Sequence, residues 1–224
     1  MVAQPPGDYP LQVEAPHGPV DALWQLPEAA VAQVVLAHGA GAGYQHANMQ
    51  AIADAFAAVG LATLRFNFPF TQQGKRRVDS KAVSVATIAA AAAHVSGASD
   101  LPMFMGGHSF GGRMCSHAVV DPGIDCRGLI FCSFPLHQPK KPSVERAAHL
   151  PEVGRPMLFL SGTRDDLAAA EMLEGVVAGL DNARIHWLET ANHSYVVLKR
   201  TRENPMPVFT EMALAARSFV DEVI

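Results

Sequence analysis

The sequence predicts an α/β protein built on a mostly parallel sheet, with an antiparallel hairpin at its N-terminal edge, helices on both faces and no large cap domain. Three observations predict it. Apolar, β-branched runs of strand length alternate along the chain with segments of helical periodicity. Glycine-rich turns follow two of those runs, at 38–43 and 107–111. The 224 residues, 49% hydrophobic, suffice for one substantial core and carry neither an internal repeat nor a linker of shifted composition, so a single domain is expected over 1–224.

Residues 11–13 and 20–26 alternate apolar and polar side chains around Pro16-His17-Gly18-Pro19, the pattern of a hairpin at the sheet edge. Residues 31–37 are apolar enough for a strand covered on both faces, and they run into His38-Gly-Ala-Gly-Ala-Gly43. Helical spacing of Met49, Ile52, Ala53, Phe56 and Val59 predicts a helix over 47–59, with Gly60 at its C-terminal cap. A strand at 61–66 follows, then Asn67-Phe68-Pro69 and a polar loop to Asp79. A helix over 80–95 leads to a strand at 103–106. Next come a helix at 111–120, strands at 128–133 and 157–161, a helix at 167–180, a strand at 184–188 and a terminal helix at 208–223. Residues 134–155 hold several prolines and no strong periodicity, and are too few for a lid domain.

A formal charge of −4 and a pI near 6.2 give no positive field to gather nucleic acid or anionic lipid. No run reaches the ~20 apolar residues of a bilayer span. Residues 1–10 lack the basic-then-apolar order of an export signal. Cys115, Cys126 and Cys132 are odd in number and form no C-x-x-C pair, so they read as reduced core thiols. A soluble, cytoplasmic protein is expected. Gly39-Ala-Gly41-Ala-Gly43 puts Tyr44 where a dinucleotide fingerprint needs its third glycine, and Gly74-Lys-Arg-Arg77 lacks the first glycine of a phosphate loop. With no metal-ligand spacing either, no cofactor is expected.

The chemistry concentrates at Gly107-His108-Ser109-Phe110-Gly111, a G-x-S-x-G that follows a predicted strand and opens a predicted helix. In that context the serine occupies a strained turn, and flanking residues without a Cβ avoid collision. Ser109 is the expected nucleophile, facing the free N–H groups and positive dipole end of its helix. A serine hydroxyl needs a base oriented by a carboxylate, in the chain order serine, acid, histidine. Among the downstream histidines only His193 lies in a polar loop directly after a closing strand, so it is the expected base. The strand at 157–161 ends in Gly162-Thr-Arg-Asp165-Asp166; Asp165, at the loop apex, is preferred as the acid, and Asp166 is left as the alternative, suited to capping the next helix. Oxyanion donors are expected at the Phe110 N–H and in the 38–43 loop, at Ala40 or else Gly41. Gly41, Phe68 and Phe134 are expected to contact substrate.

His38-Gly-Ala-Gly-Ala-Gly43, Arg65-Phe-Asn-Phe-Pro69, Gly107-His-Ser-Phe-Gly-Gly-Arg113, Phe134-Pro-Leu-His137, Gly162-Thr-Arg-Asp165 and Asn192-His193 together cover most of the chain. On these the sequence resembles small cap-less α/β-hydrolases near the dienelactone hydrolases, a group that includes testis-expressed and chromatin-complex hydrolase-like proteins. The resemblance implies the α/β-hydrolase fold, the triad Ser109, Asp165 and His193, and mainly structural roles for Arg65 and Arg113. It departs from dienelactone hydrolases in having serine where they have cysteine, so their lactone substrate does not carry over. The expected activity is a serine hydrolase cleaving a small ester or thioester through an acyl-enzyme. The alternatives are a non-catalytic scaffold that binds a protein partner, and an acyltransferase using the same triad.

Overall fold

The computed structural model describes residues 4–224. The reading of residues 1–10 therefore lies outside the described residues for its first three positions. Among the described residues, eight strands form one sheet: β1 (Gly7–Val13), β2 (Val20–Leu26), β3 (Ala32–Ala37), β4 (Leu61–Phe66), β5 (Met103–His108), β6 (Leu129–Cys132), β7 (Met157–Gly162) and β8 (Ala183–Leu188). Their spatial order is β1-β2-β4-β3-β5-β6-β7-β8. β1 and β2 pair antiparallel, as do β2 and β4, and every pair from β4 onward is parallel. The mostly parallel sheet with an antiparallel N-terminal hairpin is thus present. β1 is longer than the 11–13 expected; Pro10, which has no N–H to donate, is accommodated because an edge strand pairs on one side only.

Among the described residues, six helices cover the sheet: α1 (Ala47–Ala58), α2 (Pro69–Gln72), α3 (Lys81–Ala98), α4 (Phe110–Val120), α5 (Ala170–Ala178) and α6 (Val208–Val223). The strands alternate their side chains between two cores. Val34 and Leu36 of β3 face Met49, Ile52 and Phe56 of α1 and Met212, Ala216 and Phe219 of α6. Val35 and Ala37 face Ile88 and Val95 of α3 and Met114 of α4. Gly60, at φ 79°, turns the chain after α1 as its capping position requires.

Three differences from expectation have local causes. α2 is a single turn that opens on Pro69, a residue pre-shaped for a first helical position and short of any periodic signal. α5 starts at Ala170, three residues later than expected, because the preceding residues form a turn in which an Asp165 carboxylate oxygen accepts the Leu167 N–H at 2.9 Å. The 134–155 connection is pinned to the core through Ala147, Leu150 and Val153 around two short 3₁₀ turns. By length and composition α3 is the one described helix able to cross a membrane. It lies against the sheet, with Ile88, Ala91, Ala92 and Val95 buried.

The order of the strands places the chemistry. From β3 the chain moves outward to β4 on one side and later to β5 on the other, so the loops after β3 and β5 diverge and leave a crevice at the carboxyl ends. The 38–43 loop and Ser109 border that crevice.

Candidate active site

β5 delivers the chain into α4 through Ser109, whose backbone takes φ 52° and ψ −117°, a conformation that L-residues rarely occupy. The strain is held by tight packing rather than by side-chain bonds. A Cβ at Gly107 would stand 2.2 Å from the Ala37 carbonyl oxygen, and one at Gly111 would stand 2.3 Å from the same atom. The Ser109 N–H donates to the Cys132 carbonyl at 2.9 Å, which ties the turn to β6.

The His193 Nε2 lies 2.8 Å from Ser109 Oγ, and its Nδ1 lies 2.9 and 2.8 Å from the two oxygens of Asp165. The Asp165 side chain is 0% exposed and that of His193 17%. The three residues named from sequence therefore meet in one chain of hydrogen bonds. Asp166, the alternative acid, is exposed and caps no helix, since α5 begins beyond it.

The loop carrying His193 is stapled by its neighbour Asn192, whose Oδ1 accepts the N–H groups of Ser194 and Val196, each at 3.0 Å. The Tyr195 hydroxyl donates to the Leu160 carbonyl of β7 at 3.1 Å. His108 adds a further hold: its Nε2–H donates to the His193 carbonyl at 2.9 Å. Burial pulls the His108 imidazole down to about 4, so it stays neutral and makes that bond as a fixed tautomer.

Within the 38–43 loop, His38 is fully buried; it accepts the Phe68 N–H at Nε2, 3.1 Å, and donates from Nδ1 to the Gly39 carbonyl at 2.8 Å. Burial pulls it too down to about 4. Arg65, fully buried on β4, donates to the Tyr44 carbonyl at 3.2 Å and to Gln50 at 2.8 Å, and so braces the far end of the loop. Among the described residues, no acceptor takes the backbone N–H of Ala40 or of Phe110. His38 and His108 were not singled out from sequence. Their signal was present, since each lies within a Gly-rich turn next to a reacting position, but only geometry shows what their rings hold.

Two lobes open on either side of Ser109, both bounded by Ala40, Ser109 and Leu167. One, of about 310 Å³, is walled by Gly41, His46, Asn48, Met49, His108 and His193. The other, of about 290 Å³, is walled by Phe110, Arg113, Pro135, His137 and Arg146. Of the three residues expected to contact substrate, Gly41 borders the cleft, and Phe68 and Phe134 do not. Both are fully buried: Phe68 packs on His38, Phe66, Phe70 and Phe110, and Phe134 packs on Phe131 and Phe159, so the core takes rings that could equally have lined a pocket. Arg113, read as mainly structural, stacks near the Phe110 ring at 5.9 Å and lines the second lobe.

The three cysteines are free and buried. Burial pushes the Cys126 and Cys132 thiols up to about 12, so neither offers a thiolate near neutral pH. Among the described residues, no three His, Cys, Asp or Glu side chains converge in a way that could hold a metal ion.

A family model described as alpha/beta hydrolase domain matches residues 30–221. Among solved structures, the chain is similar to a dienelactone hydrolase from Anabaena variabilis, with TM-score 0.77 and 19% identity over 99% of this chain and 100% of that one. It is similar to the ferulic-acid-bound Est1E of Butyrivibrio proteoclasticus, with TM-score 0.77 and 14% identity over 95% and 98%. A lidless serine hydrolase from Xanthomonas campestris matches with TM-score 0.71 and 18% identity over 98% and 96%.

Proposed function

This chain belongs to the alpha/beta hydrolase domain family, and on that premise we propose that it is a serine hydrolase that cleaves a small carboxylic ester or thioester through an acyl-enzyme on Ser109. The observation that carries the reading is the unbroken relay from Ser109 Oγ through His193 to Asp165, with every contact at 2.9 Å or less.

His193 takes the Ser109 proton as Oγ attacks the substrate carbonyl carbon. The carbonyl oxygen becomes an oxyanion, received by the Ala40 N–H of the 38–43 loop and by the Phe110 N–H at the start of α4, where the helix dipole also favours negative charge. Asp165 holds the His193 tautomer and stabilises the imidazolium. His193 then protonates the leaving alcohol or thiol, which departs and leaves Ser109 acylated. Water enters, gives a proton to His193 and attacks the acyl carbon; collapse frees the carboxylic acid and restores the Ser109 hydroxyl. The reading uses no metal and no cofactor. It treats residues 1–224 as one catalytic domain and sets it in the cytoplasm, where three unpaired buried thiols are at home.

Hydrolysis of a short activated ester tests it. Ser109→Ala is expected to lower kcat by about a thousandfold or more, with a thermal midpoint near that of the parent. Equal turnover by parent and variant overturns the assignment. Transfer of the acyl group to an added alcohol or thiol in preference to water would move the chain to the acyltransferases.

A further inference from the structure

The second lobe of the cleft has no use in the chemistry just described, and its polar groups are unspent. Arg113 makes no side-chain hydrogen bond to any described residue, and its Nε is sealed from solvent without an acceptor. Arg146 has one bond, from NH1 to the His137 carbonyl at 3.0 Å, which leaves its other donors free. His137 is 5% exposed; its Nδ1 is committed to the Gln138 carbonyl at 2.9 Å, and its Nε2 is buried with no partner.

No Asp or Glu lines this lobe, and neither arginine belongs to an ion pair among the described residues. Burial and then the neighbouring Arg146 both press the Arg113 guanidinium below its ordinary range, with no anion to offset them. In a chain of net charge −4, two unpaired guanidiniums facing one cavity beside the nucleophile are a vacant anion site.

The relay decides which half of the substrate carries the charge. His193 must protonate the leaving atom, and His193 walls the other lobe only. The leaving alcohol or thiol therefore lies on that side and the acyl chain extends past Phe110 toward Arg113, Arg146 and His137.

We propose that this lobe binds a carboxylate at the far end of the acyl chain, so that the preferred substrates are half-esters or half-thioesters of short dicarboxylic acids. The proposal rests on the serine-hydrolase reading. The planar guanidinium forks of Arg113 and Arg146 match a carboxylate geometrically, and the charge lets a diacid half-ester gain in binding what a neutral chain of equal length cannot.

The test compares kcat/KM for mono-4-nitrophenyl adipate and 4-nitrophenyl hexanoate, with the rate of Ser109→Ala subtracted as background. Parent protein is expected to favour the anionic ester by about tenfold, and added salt to erode the preference. Arg146→Gln and Arg113→Gln are each expected to lower the adipate-to-hexanoate ratio by about tenfold; a ratio is independent of how much of a variant is folded. A parent that favours hexanoate, or a ratio unchanged in both variants, overturns the anion site. Hydrolysis of hexanoate that requires Ser109, without preference for adipate, overturns this inference alone and leaves the serine hydrolase standing. Turnover of neither ester, with Ser109 unreactive to a fluorophosphonate, overturns both.

Discussion

At Ser109 the strained backbone and the relay to His193 belong to one residue, while the acid took a choice between neighbours. Asp165 and Asp166 differ in sequence by one place in the same turn. In the structure one is 4% exposed with both oxygens on His193 and the other is exposed to solvent. Asp165→Asn is expected to lower kcat by about 10⁴-fold, since the amide no longer holds the His193 tautomer. Asp166→Asn should change it less than about twofold; steady-state kinetics on one ester checks both. That Ser109, His193 and Asp165 would be neighbours was legible because their motifs sit at defined ends of predicted strands. The apolar contacts were not, because a phenylalanine after a strand serves a core and a pocket by the same chemistry, and Phe68 and Phe134 went to the core.

The element that matters most is the β5–α4 turn, where helix and strand approach so closely that glycine is the one residue with room. At Gly111 a methyl group would meet Ala37 backbone atoms at 2.3 and 2.5 Å, and these belong to a central strand that cannot retreat. Gly111→Ala is expected to cost roughly 3 kcal/mol in urea unfolding and to displace Ser109 from His193, so that activity falls even in the folded fraction. Gly41→Ala, with nothing within 4 Å of the added atom, is expected to leave stability nearly unchanged in the same assay. Strands were legible at this scale because β3 through β7 are short, mostly apolar runs, and helices because they repeat at 3.6 residues. α2 and the onset of α5 were not legible: one is a single turn, and the other is set by a long-range demand on the Asp165 carboxylate.

Across the whole molecule, two cores on either face of the sheet hold a polar seam at its carboxyl edge, and buried neutral histidines are part of that seam. For His38 an ordinary pKa of 6.5 falls to about 4 on burial. Between those values the unfolded chain takes up a proton that the folded chain refuses. Its contribution, up to ~3 kcal/mol, is complete above pH 6.5 and is lost as the pH falls to 4. His108 acts in the same sense and window. Urea midpoints should therefore drop steadily from pH 7 to 4.5; a flat profile would count against neutral, buried rings at both places. The mostly parallel sheet with its antiparallel hairpin could be anticipated from the alternation of strands and helices, whereas the strand order and the two lobes could not, since both depend on segments remote in sequence. The central claim, an activated Ser109, is tested most directly by peptide mass spectrometry after exposure to a fluorophosphonate. One phosphonyl group should be found on Ser109, with labelling slowed by at least about a hundredfold in His193→Ala. An unmodified Ser109, or labelling at full rate without His193, would contradict it.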